Sequence, residues 1–147
     1  MFKTAPKPKS LLGYHRILSP TAGVRVSPLC LGALNFGDSW KEFAGECTKE
    51  TAFEMLDHFW DQGGNFIDTA NNYQDEQSEM WVGEWMETRC NRDQIVLATK
   101  FTNGYRTVGA PEKIKSNFQG NHAKSLRVSV NDSLKKLRCE YIDLLYV

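Results

Sequence analysis

A carboxylate, a phenol and an ammonium occur at the ends of two short apolar runs in this sequence. Asp68 closes the run at residues 65–68, Tyr73 follows shortly after it, and Lys100 closes the run at residues 94–100. A phenol has an ordinary pKa of about 10, and a nearby ammonium favours its charged form. A carboxylate paired with that ammonium would hold it in place. The trio therefore predicts a phenol that gives a proton to a carbonyl oxygen while hydride arrives at the carbonyl carbon.

Each of the three side chains also has an ordinary structural explanation. An aspartate at a strand end commonly caps a helix or stabilises a turn, a lysine there is usually solvated, and a tyrosine beside asparagines often only packs. The catalytic hypothesis depends on their joint appearance, because the carboxyl ends of neighbouring parallel strands meet at one edge of a sheet. If the two runs pair side by side, the three groups converge.

Strand-like and helix-like segments alternate along the chain, and they must position these residues. Short runs rich in β-forming residues are predicted as strands, and the longer stretches between them have the apolar spacing of helices. Because the later strands are almost continuously apolar, they are expected to be parallel and buried on both faces. The order indicates an α/β fold, either a doubly wound sheet or a (β/α)8 barrel. The predicted sheet strands are residues 26–31, 65–68, 94–100 and 141–147, and a small hairpin at residues 14–18 and 24–26 precedes them.

Three helices are predicted from caps and apolar periodicity. The first follows Thr48 as its N-cap and stops at Gly63 and Gly64, and the second begins at Ser78. The third covers residues 122–138, where basic residues in the last turn would complement the helix dipole. Its predicted core-facing stripe is Leu126, Val130, Leu134 and Leu137, and its basic residues are Lys135, Lys136 and Arg138.

Composition and charge argue against several classes of function. Lysine plus arginine and aspartate plus glutamate both number 18, so the chain has no electrostatic footprint for nucleic acid or an anionic membrane. No apolar run is long enough for a transmembrane helix, and the start lacks a secretory signal. The scattered cysteines contain no C-x-x-C pair, which favours a reduced, cytoplasmic protein without a metal site. Residues 1–13 are expected to be a flexible basic tail and residues 14–147 one domain.

Several motifs resemble those of the aldo-keto reductases. Residues 66–73 read FIDTANNY, and with Ser78, Glu79 and Gly83 they are similar to the family signature D-T-A-x-x-Y followed by S-E-x-x-x-G. Three further segments resemble the first strand, the lysine strand and the fourth strand of that family, at residues 26–32, 97–101 and 141–147. In detail the chain is most similar to the fungal branch of aryl-alcohol dehydrogenases and norsolorinic acid reductases.

The resemblance implies an NADP(H)-dependent carbonyl reductase that acts on a small molecule. Tyr73 would be the proton donor, Lys100 the ammonium beside it, and Asp68 the partner of Lys100, close to the nicotinamide. Aryl aldehydes, aryl ketones or a polyketide intermediate are the implied substrates. The family binds NADPH without a Rossmann fingerprint, and the backbone implied to line the cofactor pocket is that of Gly32, Ala33 and Leu34.

The same resemblance implies an incomplete (β/α)8 TIM barrel, made of the hairpin, strands one to four and helices one to three. In the family a catalytic histidine follows the fourth strand at once, and this chain ends at Val147. The polypeptide alone is therefore expected to be inactive and to self-associate through open sheet edges. A non-catalytic remnant or a binding module derived from an aldo-keto reductase is the alternative. A doubly wound, flavodoxin-like domain fits the length but does not account for the three-residue pattern.

Aromatic and histidine side chains outside these motifs give weaker signals. Trp40 and Phe43, in the predicted loop after the first strand, could form an aromatic wall for a substrate. Capping of the core is the favoured explanation for both, because isolated aromatic residues usually pack. The three histidines fall in the hairpin and the helices rather than at strand ends, so none is expected to be catalytic; they are His15, His58 and His122.

Overall fold

The sheet at the centre of the molecule is parallel, as the apolar runs predict. The computed structural model describes residues 3–106 and 110–147. In chain order its strands are β1 Arg16–Ser19, β2 Ala22–Val26, β3 Leu31–Gly32, β4 Phe66–Asp68, β5 Val96–Lys100 and β6 Leu144–Tyr146. The helices are α1 Lys41–Ala44, α2 Lys49–Asp61, α3 Gln77–Arg89 and α4 Ala123–Lys136. β1 and β2 form an antiparallel hairpin, and the other strands form one sheet in the order β3–β4–β5–β6.

The first strand of the parallel sheet is much shorter than the run at residues 26–31 predicts. β3 is only two residues long, and the hairpin strand β2 takes up Val26. Pro28 has no N–H to donate to a neighbouring strand, and the Ser27 hydroxyl donates to the Leu29 carbonyl at 2.7 Å. The chain turns there instead of continuing the strand, so this boundary was predicted wrongly.

The last strand begins later than the run at residues 141–147 predicts, because a side chain takes the place of the backbone. The Asp143 carboxylate accepts a hydrogen bond from the backbone N–H of Leu97 on β5 at 2.8 Å. Arg92 donates to the same carboxylate at 2.8 Å. Regular pairing with β5 therefore starts only at Leu144.

Helix α2 begins at the cap that its sequence predicts. The Thr48 hydroxyl accepts a hydrogen bond from the N–H of Thr51 at 3.3 Å. After the helix, Gly63 adopts a φ of +93°, a left-handed conformation that favours glycine. In the described residues no helix is long and apolar enough to cross a bilayer. The buried residues of α2 are Ala52, Leu56 and Phe59.

The hydrophobic core lies where α2 and α3 cover the sheet. The same two helices are tied by Asp57, which accepts hydrogen bonds from the Trp85 indole at 2.8 Å and from Arg89 at 2.7 Å. The hydrogen bond from Arg89 keeps the pKa of the Asp57 carboxyl below its ordinary value. Fully buried core side chains include Leu56, Ile67, Val82, Trp85 and Leu97.

Helix α4 turns a different face to the core than its apolar stripe predicts. Leu126 is 37% exposed, and Val130 and Leu134 are only partly buried. Of the predicted stripe only Leu137, just beyond the helix, is fully buried. Small side chains let the helix backbone lie close to the rest of the fold, which leaves the longer apolar side chains at the edge. The residues that α4 buries are Ser125, Ser129 and Ser133.

The predicted basic turn at the end of α4 is only partly at the surface. Lys135 is 77% exposed in its side chain, as a residue that complements the helix dipole should be. The Lys136 side chain is only 9% exposed and pairs with Glu76 at 3.0 Å and with Glu79 at 2.7 Å. Because this ammonium is buried between two carboxylates, the helix dipole alone does not explain its position.

Helices α3 and α4 approach each other closely at Gly83. A methyl group built on this glycine would lie 2.3 Å from the carbonyl oxygen of Lys136 and 2.6 Å from backbone atoms of Leu137. Backbone atoms cannot move aside as the end of a flexible side chain can. The glycine of the S-E-x-x-x-G motif therefore allows the two helices to pack closely.

We expect Gly83→Ala to destabilise the chain by about 2 kcal/mol, because overpacking of a tight core typically costs roughly 1–3 kcal/mol. Without that contact, alanine in a helix interior would stabilise by about 1 kcal/mol, so the sign of the change is diagnostic. Urea unfolding followed by circular dichroism measures the difference. Gly23→Ala is the control, since nothing lies within 4 Å of its added methyl group. An unchanged midpoint for Gly83→Ala would contradict the packing account.

Candidate active site

Asp68 and Lys100 form an ion pair at the carboxyl end of the sheet. β4 and β5 pair in parallel with Asp68 opposite Ala98, so Lys100 lies two residues further along its strand and can reach back. Its Nζ lies 2.5 Å from Asp68 Oδ2 and donates to the Thr69 carbonyl at 2.8 Å. The side chains of Lys100 and Asp68 are 31% and 25% exposed, so solvent reaches part of the pair.

Tyr73 lies beside the same ammonium. The Nζ of Lys100 is 4.9 Å from the centre of the Tyr73 ring, within the range of a cation–π contact. The loop that bears Tyr73 is tied to β5, since the N–H of Asn71 donates to the Lys100 carbonyl at 3.1 Å. The structure thus brings together Asp68, Tyr73 and Lys100. Their catalytic roles stay a prediction.

A cavity of about 250 Å³ opens beside the phenol and the ammonium. Tyr146 is a second phenol near the cation, with its ring centre 5.8 Å from the Nζ of Lys100. Sequence reasoning missed Tyr146, because only the pairing of β5 with β6 shows that Tyr146 lies opposite Lys100. The residues that line the cavity are Ala70, Asn72, Tyr73, Lys100, Phe101, Thr102, Asn103 and Val147.

The three positions predicted to line a cofactor pocket have different surroundings. Gly32 lies opposite Asp68 in the sheet, and a methyl group built on it would meet nothing within 4 Å. Ala33 is fully buried, and its N–H donates to the Asp68 carbonyl at 2.8 Å. Leu34 is partly exposed, and its carbonyl accepts from the Gln74 amide at 3.0 Å. Gly32 and Leu34 reach solvent and Ala33 does not, while the cofactor role of all three stays a prediction.

Comparison with known proteins decides the family. The profile of the Aldo/keto reductase family matches residues 28–147. The chain belongs to this family. It is 67% identical over 144 residues to norsolorinic acid reductase A of Aspergillus parasiticus, a match that covers 98% of this chain and 37% of that protein. It is 56% identical over 147 residues to AAD6 of Saccharomyces cerevisiae, named as a candidate aryl-alcohol dehydrogenase, and covers 69% of that protein.

Solved structures of aldo-keto reductases share the fold. A candidate aldo-keto reductase of Pseudomonas aeruginosa matches with a TM-score of 0.70 and 31% identity, over 93% of this chain and 47% of that one. AKR11C1 of Bacillus halodurans, in its holo form, matches with a TM-score of 0.69 and 28% identity, over 89% of this chain and 38% of that one. The predicted incomplete barrel is confirmed, and this aldo-keto reductase chain spans 37% of the length of the norsolorinic acid reductase that it matches.

The two aromatic residues in the loop after β3 have different surroundings in this aldo-keto reductase chain. The Trp40 ring lies 6.5 Å from the Tyr73 ring at an interplanar angle of 72°, and its indole N–H donates to Asp75 at 2.9 Å. Phe43, in the short helix α1, is 85% exposed. The favoured explanation, in which both side chains cap the core, was therefore wrong. Trp40 stands edge-to-face beside the candidate phenol.

Directly after the candidate phenol, the backbone makes a left-handed turn. Gln74, Asp75 and Glu76 have φ values of 52°, 49° and 80°. Each such conformation costs a residue other than glycine roughly 1–2 kcal/mol, so outside contacts must hold the turn. The fully buried Gln74 side chain donates to the Leu34 carbonyl at 3.0 Å and accepts from the Trp40 N–H at 2.7 Å. Sequence reasoning missed the turn because these positions contain no glycine or asparagine, and Asp75 is the one residue of a turn-forming type among the three.

The serine and glutamate of the family motif are fully buried beneath the loop. The Ser78 hydroxyl donates to the Ala33 carbonyl at 2.7 Å and lies 2.9 Å from the Thr69 hydroxyl. The Glu79 carboxylate accepts a hydrogen bond from the Thr99 hydroxyl at 2.5 Å. Ser78 thus ties α3 to the loops after β3 and β4, and Glu79 ties α3 to β5.

Cys30 lies within the electric field of the ion pair. The pKa of its thiol is raised to about 11, mainly by burial and in part by the Asp68 carboxylate, while the Lys100 ammonium opposes the rise. Part of the residue reaches solvent, so its thiolate can be trapped chemically. Its alkylation rate is therefore a probe of the site that needs no turnover.

We expect Asp68→Asn to speed alkylation of Cys30 by iodoacetamide at mildly alkaline pH, because loss of the carboxylate lowers the pKa of the thiol and raises the thiolate fraction. Lys100→Met should slow the same reaction, since removal of the cation raises that pKa. Peptide mapping by mass spectrometry over a pH series measures both rates. Asp61→Asn, at an exposed position on α2, is the control. Equal rates in all four proteins would show that the charges do not surround Cys30 as described.

Proposed function

We propose that this chain contributes the proton-donating site of an NADPH-dependent carbonyl reductase. The observation that supports it is the position of the Lys100 ammonium, 2.5 Å from the Asp68 carboxylate and 4.9 Å from the Tyr73 ring centre. A cation there stabilises the negative charge that develops on the phenol oxygen as the proton leaves. Tyr73 is the general acid that protonates the carbonyl oxygen, and Asp68 orients Lys100.

The cofactor that the family implies is NADP(H), and the end of β3 fits it. Gly32 leaves open space beside Asp68, where any larger residue would fill part of the gap. When bound, NADPH supplies the hydride. Gly32, Leu34 and Asp68 would hold its nicotinamide end, and Tyr73 would meet the carbonyl oxygen of the substrate.

We propose an aryl ketone or aldehyde, including a polyketide-derived ketone, as the substrate. The relatives named above are a norsolorinic acid reductase and a candidate aryl-alcohol dehydrogenase. The Trp40 indole beside Tyr73 supports the same class, because aromatic rings prefer edge-to-face or offset packing on other rings. Trp40 would then form one wall for a planar substrate.

The chemistry is testable in a chimera of residues 1–147 followed by the remaining length of norsolorinic acid reductase A. We expect Tyr73→Phe and Lys100→Met to lower kcat/KM for acetophenone by about 10²–10⁴, the usual contribution of a general acid. NADPH oxidation followed by absorbance gives the rates, and NADPH fluorescence titration checks that binding persists. Tyr14→Phe, at a half-exposed position just before the hairpin, is the control. A chimera that turns over equally well with Phe at position 73 would refute the assignment of the proton donor.

The 147-residue polypeptide by itself is proposed to be inactive and to self-associate. On the edge strand β6 and just after it, Leu145 is 38%, Tyr146 42% and Val147 79% exposed, and an exposed apolar edge strand pairs readily with other chains. The same edge supports the alternative of a non-catalytic binding module.

Sedimentation velocity and the acetophenone assay are applied to this polypeptide alongside the chimera. A monomer that reduces acetophenone would overturn both the proposed inactivity and the proposed self-association.

For the aryl substrate class we expect Trp40→Leu in the chimera to raise the KM for acetophenone by about three- to ten-fold. An aromatic contact contributes roughly 0.5–1.5 kcal/mol beyond area burial. The KM for cyclohexyl methyl ketone, of similar size without the aromatic ring, should change little. Phe43→Leu is the matched control in the same loop, because its side chain is 85% exposed. An equal loss for both ketones would mean that Trp40 supports the loop rather than the substrate ring.

A further inference from the structure

We propose that Lys136 of α4 is a positioning residue that holds the Tyr73 loop, residues 69–76, in the conformation that the carbonyl chemistry requires. The inference rests on the proposed function for the role of Tyr73, while the mechanical part of it stands on the contacts alone. Lys136 is 36 residues beyond Lys100 in sequence and lies on the helix that precedes β6. Among the described residues, no hydrogen bond or ion pair joins Lys136 to Asp68 or to Lys100.

The buried ammonium of Lys136 holds the loop at two points. Its Nζ donates to the backbone carbonyl of Asn71 at 2.9 Å and lies 3.0 Å from the Glu76 carboxylate. Asn71 is two residues before Tyr73, and Glu76 is three residues after it. The two contacts therefore bracket the candidate proton donor.

Glu79 connects this ammonium to the strand that bears the candidate lysine. Its carboxylate is fully buried, lies 2.7 Å from the Nζ of Lys136 and accepts from the Thr99 hydroxyl at 2.5 Å. Thr99 directly precedes Lys100 on β5. One continuous set of contacts thus runs from β5 through Glu79 and Lys136 to both sides of Tyr73.

The charges of this cluster explain why the loop keeps its strained backbone. Glu76 is the last residue of the left-handed turn, and its carboxylate pairs with Lys136 at 3.0 Å and with Arg106 at 3.7 Å. A turn of non-glycine residues in the left-handed region persists only where surrounding contacts determine it. Loss of the Lys136 contacts would free Asn71 and weaken the hold on Glu76, and the turn could then relax and move the phenol.

A second ion pair joins α3 to the segment directly after α4 and offers a matched comparison. Arg138, two residues after Lys136, lies 2.5 Å from Glu87 and 3.6 Å from Glu84 on α3. Its partners are on the surface side of α3, and its side chain is 42% exposed. If Lys136 only docked α4 onto α3, removal of either pair would have the same local effect.

The test compares Lys136→Met/Glu79→Gln with Arg138→Met/Glu87→Gln. Each double variant removes one cation and one anion, and Glu76 keeps Arg106 as a partner. No buried charge is therefore left unpaired, which would be strongly destabilising. The glutamine at position 79 can still accept from Thr99. Amide hydrogen exchange is measured by mass spectrometry in the 147-residue chain and repeated in the chimera.

We expect exchange in residues 69–76 to be roughly ten-fold faster in the Lys136 variant, because the loop loses its ties to α4. Exchange in the middle of α3 and α4 should stay unchanged, since those amides are held by the hydrogen bonds of the helices themselves. The Arg138 variant should leave loop exchange at the wild-type rate. Equal loop exchange in both variants, or faster exchange throughout α4 in the Lys136 variant, would overturn the positioning role.

Kinetics in the chimera separate this inference from the proposed function. A positioning role predicts a roughly ten-fold lower kcat for the Lys136 variant at an unchanged KM for NADPH, because a misplaced general acid impairs the chemical step and not cofactor binding. An unchanged kcat would refute the link between the loop and catalysis. If loop exchange rises while the Tyr73→Phe chimera is as active as its parent, the mechanical inference holds and the proposed proton donor fails.

Discussion

The candidate site depends on the register in which β4 and β5 pair. Because Asp68 lies opposite Ala98, the lysine two residues further along β5 extends beyond the end of β4 and folds back to the carboxylate and to the Thr69 carbonyl. A shift of one residue would turn the Lys100 side chain to the other face of the sheet. The ammonium would then face the covering helices instead of the Tyr73 ring. The strand pairing thus determines which polar groups can meet at the sheet edge.

The loop that completes the site is held by polar contacts rather than by an apolar core. Its backbone passes through three successive left-handed residues, and such a stretch is unfavourable unless its surroundings hold it. Gln74 ties it to the loop after β3, and Glu76 ties it to Lys136 of α4. Buried polar networks of this kind impose one geometry, since any alternative would leave a donor, an acceptor or a charge unpaired. This connects the S-E-x-x-x-G motif, which buries Ser78 and Glu79 and lets α4 approach at Gly83, to the placement of Tyr73.

Sequence reasoning predicted the features that depend on short-range patterns. The Thr48 cap and the glycine stop of α2 and the parallel α/β class all follow from local propensity and periodicity, and the structure contains each of them. It failed where a distant group competes with the local pattern. Pro28 and the Ser27 hydroxyl end the expected first strand, and the Asp143 carboxylate replaces backbone at the start of β6. The apolar stripe of α4 was assigned to the core because periodicity does not reveal how closely a neighbouring helix approaches. The helix instead buries its serine face, whose small side chains allow close packing.

The amino-acid sequence by itself determined the family, the alternation of strands and helices, and the identities of the carboxylate, phenol and ammonium, because these depend on residue types and their spacing along the chain. Only the tertiary structure decided that Trp40 stands beside Tyr73 while Phe43 is solvated, and that Lys136 is buried rather than at the helix surface. Those outcomes depend on which segments meet in space. Contacts between residues tens of positions apart follow from strand register and helix packing, and a linear pattern contains neither.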